Sequence, residues 1–398
     1  MSECSIIYPK SIALPANYRI ECFDKASALH HTAWATLTKD DLFYQIDYLE
    51  EVEKTCKEFL QPHYGIAYDN NDAVGAFYFQ LVRFKGEQLL SFFSKENTGA
   101  WFSLCIQKPI SFLLKKIDIP LLVLGNLLQT NHGGIFFSDN ITSPNEKAAI
   151  VEALCRKTQL ECDASAILIT NIYDSDSHFF NELNASFHLF HSEPDLQLQL
   201  PSDWKNFDDY IQALHSKYRV RAKKILKESA SIESRLLTLH EIEHFQKEIF
   251  LLNRNVMRNV KFSLGDISET YFYDIAKYFG SKFNINGYFK DGVMIGFSSF
   301  IIEKKILNAH FIGMNYDFVN VNKLYNRILY DNLCFALEND LEVVNYGRTA
   351  TEIKTTVGAK PLPMINFLKY RNPLFNFLVP RALKLLKAPE FTTRKPFK

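Results

Sequence analysis

The sequence predicts an α/β (α+β) protein of two lobes, and three observations carry that prediction. First, residues 307–314 are apolar or small at nearly every position, as in a strand buried on both faces. A polar turn, Asn315-Tyr316-Asp317, leads into a largely apolar helix over 322–339 with Asn322 as its cap, and a short apolar strand over 341–346 follows. Strand, helix, strand in that order makes a right-handed crossover with both strands parallel. Second, two stretches read as hairpins, 63–84 around Asn70-Asn71-Asp72 and 285–302 around Lys290-Asp291-Gly292. Third, a polar break at 201–206 separates two halves that run in the same order: hairpin, buried strand, long helix, short strand.

Taken along the chain, 40–59 is helix-like and acidic, and 121–126 is a buried strand. Residues 133–137 fit either a strand or a loop. Ser143 as cap, Pro144 at the first helical position and Glu146 open a helix that continues to about 158. Strands over 164–171 and 196–200 close the first half. Beyond the break, Phe207, Tyr210, Ile211, Leu214, Tyr218 and Ile225 share one helical face. A strand at 234–239 and a helix at 241–254 precede the second hairpin. Gly75 and Gly296 occupy matching places in the two hairpins, and the longer spacing after Gly75 implies an insertion at 85–128.

Composition narrows the function. A balance of 45 basic against 45 acidic residues gives no global attraction to nucleic acid. The 34 Phe and 19 Tyr suit thick aromatic cores or an apolar groove. Seven scattered cysteines without a CxxC pair argue against a zinc site or a disulfide framework, and point to a reducing compartment. His30-His31 lacks ligand-type neighbours at metal-binding spacing. The N-terminus lacks a basic segment followed by an apolar run, and 109–128 is interrupted by Lys115, Lys116 and Asp118, so the expected location is the cytoplasm. No G-x-S-x-G, P-loop or Ser-His-Asp order supports a hydrolase or an NTPase.

The run Asn345-Tyr346-Gly347-Arg348-Thr349, then Glu352, Lys354 and Val357-Gly358-Ala359, resembles the closing motif of tandem acyltransferases of the GNAT superfamily. These are the Fem-like proteins and their bacterial relatives, with two GNAT-type folds in one chain. Gly313-Met314-Asn315-Tyr316 and Leu324-Tyr325 fit the same order. The resemblance implies two GNAT-like lobes, each a mixed, mainly antiparallel sheet flanked by helices, at 1–200 and 201–370, with a tail at 371–398. It implies an N-acyltransferase that moves an acyl group, acetyl foremost, from a CoA thioester to an amine, with acyl-CoA as co-substrate and no metal. Two alternatives stay open: a Fem-like aminoacyltransferase that takes its donor from aminoacyl-tRNA and acts on a cell-wall precursor, and a non-catalytic binding protein on the same fold. The coiled-coil insertion that would bind tRNA in some Fem-like proteins is not visible, which favours CoA.

Amine attack on a thioester needs a base, donors for the oxyanion and a grip on the pyrophosphate. The resemblance places the donors on 311–314, with Gly313 and Asn315 at the binding site, and the phosphates at the helix start over 321–325. The loop 315–322 departs from ordinary GNAT enzymes in lacking a Gln/Arg-x-x-Gly-x-Gly/Ala run. Arg348 is the first catalytic candidate; its fork either binds a phosphate or carboxylate, or pairs with Glu352 to fix the loop. Tyr325 and Tyr346 are candidate proton donors, or core. Glu303 and Asp317 are weaker candidates for the base, and His310 reads as a core histidine. Thr349 and Lys354 follow from the motif as binding residues. A basic helix face bearing Lys217, Arg219, Arg221, Lys223, Lys224 and Lys227 grips phosphates or is simply solvated, with Lys217, Arg219 and Arg221 the preferred contacts. In the tail, Arg371, Arg381, Lys384, Lys387, Arg394, Lys395 and Lys398 interleave with apolar residues. That pattern fits either a peripheral contact with the inner face of a membrane or a docked terminal helix with a frayed basic end.

Overall fold

The structure, a computed structural model, describes residues 14, 17–88, 112, 114–130, 132–176, 178–183, 186–259, 266–318, 323–385 and 391–398. The strands in chain order are β1 (Tyr18–Phe23), β2 (Leu60–Asp69), β3 (Asp72–Lys85), β4 (Asp118–Leu124), β5 (Ile135–Phe137), β6 (Ala166–Tyr173), β7 (His188–His191) and β8 (Asp195–Gln199). They continue with β9 (Glu233–Leu236), β10 (Phe283–Lys290), β11 (Val293–Glu303), β12 (Ile306–Met314), β13 (Val343–Asn345), β14 (Lys360–Leu362) and β15 (Met364–Tyr370). The helices used below are α1 (Trp34–Leu37), α2 (Ile46–Cys56), α3 (Pro144–Glu161), α4 (Phe207–Ala213), α5 (Ser216–Glu228) and α6 (Leu239–His244). After them come α7 (Gln246–Asn259), α8 (Tyr271–Phe279), α9 (Leu324–Glu338), α10 (Thr351–Thr356) and α11 (Pro373–Leu385). Among the described residues no helix is long and apolar enough to cross a membrane.

Two mixed sheets flanked by helices result. The first runs β1-β2-β3-β4-β6-β15-β7 with β5 beside β3; the second runs β9-β10-β11-β12-β13-β8-β14. The two orders match strand for strand. In each, a four-strand antiparallel meander meets one parallel neighbour, β4 with β6 and β12 with β13. The parallel pairs are joined through α3 and α9, the crossovers that the sequence predicts. The next strand in each sheet comes from the other half of the sequence: β15 beside β6, and β8 beside β13.

That exchange sets the compact units, which are 1–192 with 364–388 and 193–363 with 389–398. Boundaries at 200 and 370 differ from these, since β8 belongs to the second unit and β15 to the first. The tail expected over 371–398 is divided as well, α11 going with the first unit and 391–398 with the second. Alternating apolar residues mark a strand but not the sheet that receives it.

Local chemistry explains most elements. Ser143 Oγ accepts from Glu146 N–H at the start of α3, with Pro144 in the first turn. Asp291 and Gly292 lie at φ 52° and 77°, as a two-residue hairpin turn with both residues left-handed requires. In the first unit α3 buries Ala148, Val151 and Leu154 against Phe77, Phe79, Leu122 and Ile167. In the second, α9 buries Leu329, Leu333 and Ala336 against Leu198, Leu307 and Val344, each large side chain contributing about 1.5–3 kcal/mol.

The apolar face expected to run unbroken from Phe207 to Ile225 is two helices. Leu214 is extended and bridges Phe397; His215 N–H donates to Pro396 O at 2.8 Å and Lys398 N–H to Ala213 O at 3.1 Å. The Phe397 ring lies 5.3 Å from Trp204 and 6.0 Å from Tyr210. It occupies space that any Cβ on Gly358 would enter, 2.3 Å from the ring atoms. The C-terminal segment thus straps α4, α5 and α10 together.

Candidate functional site

The site is built where two strands of the second unit part. β12 and β13 pair over Ile306–Asn308 and Val343–Asn345 only. The remainder of β12 stays bound to β11, where Asn315 N–H donates to Ile295 O at 2.9 Å and Phe311 N–H to Ser299 Oγ at 3.0 Å. Ile312 O turns the other way and accepts from Asn253 Nδ2 at 3.2 Å. Because N–H groups alternate along a strand, the amides of Ile312 and Met314 face the side that β13 has left. Gly313 between them is buried, and a Cβ there would meet Phe297 at 2.2 Å and the Asn253 nitrogen of α7 at 2.7 Å, so only glycine lets α7 approach this closely.

A bulge opposite Ser299 fixes that stretch of β12. The ring nitrogens of His310 contact Ser299 Oγ at 3.2 Å and the Tyr271 hydroxyl at 3.0 Å. Burial pushes the His310 pKa down to about 3, so the ring is neutral. Both ring nitrogens are satisfied, as the sequence suggests, although by surface exposure the residue is half-buried and not fully in the core.

At the end of β12 opens a cavity of about 590 Å³. Met314 and Tyr316 line it from the strand, Lys323, Tyr325 and Asn326 from the start of α9, Ala350 and Ile353 from α10, and Arg221, Lys224 and Glu228 from α5. A smaller pocket of about 200 Å³ takes Lys217, Tyr218, Glu352, Thr356 and Arg394 as walls and shares Arg221 and Ile353 with the larger one. The reason lies in α5: Lys217, Arg221 and Lys224 recur at helical spacing along one stripe, while Ala222 and Ile225 beside it are buried and Ile225 also lines the larger cavity. Arg394 is delivered by the C-terminal strap, its N–H donating to Thr355 Oγ1 at 3.1 Å and its guanidinium pairing with Glu352.

The predicted residues separate into two groups. Lys217, Arg221 and Tyr325 line these cavities, and Gly313 and Asn315 shape the strand end. Burial holds the Tyr325 hydroxyl well above the usual tyrosine range, so it stays protonated and able to donate. Asn315 accepts from Asp317 N–H at 3.1 Å in its own turn. Arg219 lies off the stripe, donating to Ser216 Oγ at 3.3 Å.

The second group supports the loop. Tyr346 is buried and donates to Leu329 O at 3.0 Å. Gly347, Thr349 and Ala350 all have positive φ, and Thr349 is exposed. Lys354 is buried beneath this turn, its Nζ donating to Gly347 O at 3.1 Å and Arg348 O at 2.6 Å. Burial pulls its pKa down to about 7 against the attraction of Asp195 and Glu193. Arg348 faces the same two carboxylates, and burial lowers its pKa too. The partner considered from sequence, Glu352, is engaged by Arg394 instead. These residues set the position of Ala350 and Ile353, the walls of the cavity.

Sequence reading passed over Glu228 and Asn326, and assigned Arg394 to the basic tail and not to this site. Glu228 had a readable signal, an acid four residues after Lys224 on the same stripe, and the two lie 3.6 Å apart. Arg394 had none, because the strap that brings it here is a tertiary contact.

No protein-family model matches the chain, and no curated protein matches it. Among solved structures it is similar to a tandem GNAT protein from the clavulanic acid biosynthesis pathway, at 10% identity over 89% of this chain and 99% of that one, with a TM-score of 0.48. It is similar to FemX at 10% identity, covering 90% and 99% of the two chains, with a TM-score of 0.47. It is also similar to the C-terminal domain of a putative lysylphosphatidylglycerol synthetase from Agrobacterium fabrum, at 12% identity over 68% and 85%, with a TM-score of 0.43.

Proposed function

We propose that the second unit is an N-acyltransferase that moves an acyl group, acetyl foremost, from a CoA thioester to an amine. The observation that carries this reading is the parting of β12 from β13, which leaves the Ile312 and Met314 amides on the side that β13 vacates, beside a cavity that Met314 lines and cations wall. Two backbone donors at a strand end are suited to an oxyanion, each worth about 10²–10³ in rate when well placed. Lys217, Arg221 and Lys224 are assigned to the donor's phosphates. Lys323 at the start of α9 is also on the cavity wall.

In the proposed reaction the amine nitrogen attacks the thioester carbonyl carbon, a C–N bond forms, and the C–S bond breaks to release CoA thiol and an amide. Glu228 is the one acidic residue on the larger cavity's wall, and its Oε2 has no hydrogen-bond partner among the described residues. It is assigned as the base that takes the amine proton. Tyr325 is assigned as the acid that protonates the leaving sulfur. Arg348, Thr349 and Lys354 are assigned to holding the Gly347–Ala350 turn, and Tyr346 to the core beneath it.

One feature favours a second reading. Arg219, Lys223 and Lys227 form another stripe of α5 outside both cavities, with Lys223 and Lys227 exposed, and an aminoacyl-tRNA donor would use it. Thermal shift separates the readings, because a ligand of the folded state raises the midpoint by mass action. The expected result is a rise with acetyl-CoA or longer acyl-CoAs that Arg221→Ala diminishes. A rise with tRNA alone moves the assignment to aminoacyl transfer, and no rise with either makes a non-catalytic binding protein the leading reading.

A further inference from the structure

We propose that α11 is an interfacial anchor that lays the first unit on an anionic lipid surface. Leu374, Phe375, Phe377 and Leu378 are 69%, 52%, 64% and 45% exposed. They occupy positions i, i+1, i+3 and i+4 of one helix, and so form a contiguous apolar face. Phe375 extends it onto Tyr370, ring centres 5.4 Å apart. Single exposed apolar residues are ordinary, but four large ones in a little over one turn are not.

The opposite side of the helix is fastened down. Val379 is buried, Asn376 Nδ2 donates to Ser186 O at 2.9 Å, and Asn376 Oδ1 accepts from Tyr370 N–H at 2.8 Å. The apolar face is therefore held outward by a docked helix and is not the result of a frayed end. With 13 residues α11 is too short to span a bilayer and long enough to lie in its interface.

Charge identifies the occupant. Along the sequence, residues 364–390 include Lys369, Arg371, Arg381, Lys384 and Lys387 against Glu390 alone. The Arg381 guanidinium sits 4.6 Å over the Phe377 ring, at the edge of the apolar face. Arg371 is held by Asp163 at 2.6 Å. A second copy of this chain would set Arg381 against Arg381 at the same patch, whereas anionic headgroups complement it. This surface stands apart from the acyl-transfer reading and does not depend on it.

The test is sedimentation of the full chain with vesicles of phosphatidylcholine alone and of phosphatidylcholine mixed with phosphatidylglycerol. Binding is expected to the mixed vesicles at low salt and to fall as salt rises. Phe375→Ser with Phe377→Ser lowers partitioning by at least about tenfold, and Arg381→Ala lowers it about fivefold, with melting midpoints unchanged. Phe377→Trp adds an independent readout: quenching of the new indole by brominated acyl chains marks insertion. Failure of the wild type to sediment with mixed vesicles at low salt overturns the proposal, as does undiminished binding of the double serine variant. Lipid-free self-association that the double variant abolishes assigns the face to a second copy instead.

Discussion

Lys354→Met is expected to erase a pH dependence from the stability of the second unit. The lysine is 5% exposed, and burial brings its pKa from 10.5 to about 7, with Arg348 adding to the fall and Asp195 and Glu193 opposing it. Between those two values the unfolded chain keeps the proton that the folded chain has released. The unfolded state then binds more protons, so stability climbs as pH rises; below about 7 both states are protonated and the slope vanishes. The slope approaches about 1.4 kcal/mol per pH unit, which gives a gain of about 2.5 kcal/mol between roughly pH 7.5 and 9.5. Methionine cannot titrate, and it strips the donor from Gly347 O and Arg348 O at a cost of about 1–3 kcal/mol for each group left unpaired. The variant's deficit therefore grows by about 2.5 kcal/mol over that pH interval. Urea unfolding of both proteins at the two pH values measures this, since groups common to both cancel in the difference. Parallel pH dependences would refute the burial of a titrating Lys354.

Three further outcomes follow from the site and its supports. Gly358→Ala forces a Cβ to within 2.3 Å of the Phe397 ring at φ 103° and is expected to cost about 2–4 kcal/mol, a fall of roughly 5–12 °C in Tm by calorimetry. Tyr325→Phe is expected to lower kcat about 10²-fold with KM little changed, whereas Tyr346→Phe leaves kcat intact and loses about 1 kcal/mol of stability, its hydroxyl donating to Leu329 O in the core; steady-state kinetics beside urea unfolding separates the two. Arg221→Ala is expected to weaken CoA binding about tenfold or more, while Arg219→Ala, off the stripe, stays within about twofold; titration calorimetry of the two variants decides whether the stripe or the bulk charge of α5 matters.

What the sequence disclosed was local. The Ser143-Pro144 helix start, the Asp291-Gly292 turn and the buried runs of β12 and α9 follow from capping, left-handed turn residues and apolar periodicity, all read within a few positions. Partner choice did not show: the alternation in β8 is the same whichever sheet takes the strand, and β15, Met364-Ile365-Asn366-Phe367-Leu368-Lys369-Tyr370, does not alternate. The break at Leu214 was hidden for a related reason, since Phe397 imposes it from the far end of the chain. At the site, the basic run of α5 was legible as composition, but which of its cations share a stripe was not, since Arg219 lies off the cavity walls; Tyr325 was legible only through the resemblance. Lys354 was legible as a motif residue, but its burial beneath the Gly347–Ala350 turn was not, because burial depends on Asp195 and the fold of the loop above.

The exchanged strands also bear on how the protein is made. Residues 1–192 leave the ribosome well before β15 does, yet β7 pairs, among the described residues, with β15 alone, and β6 awaits β15 along its outer edge. During that interval the first sheet carries an open edge, a template for wrong pairing between nascent chains. Closing it demands a contact between residues such as Ala166 and Tyr370, at opposite ends of nearly the whole second unit. Such distant pairings close slowly. The first unit is thus begun first yet stays open until nearly all of the second has been made, of which only the strap at 391–398 follows the strand that closes it.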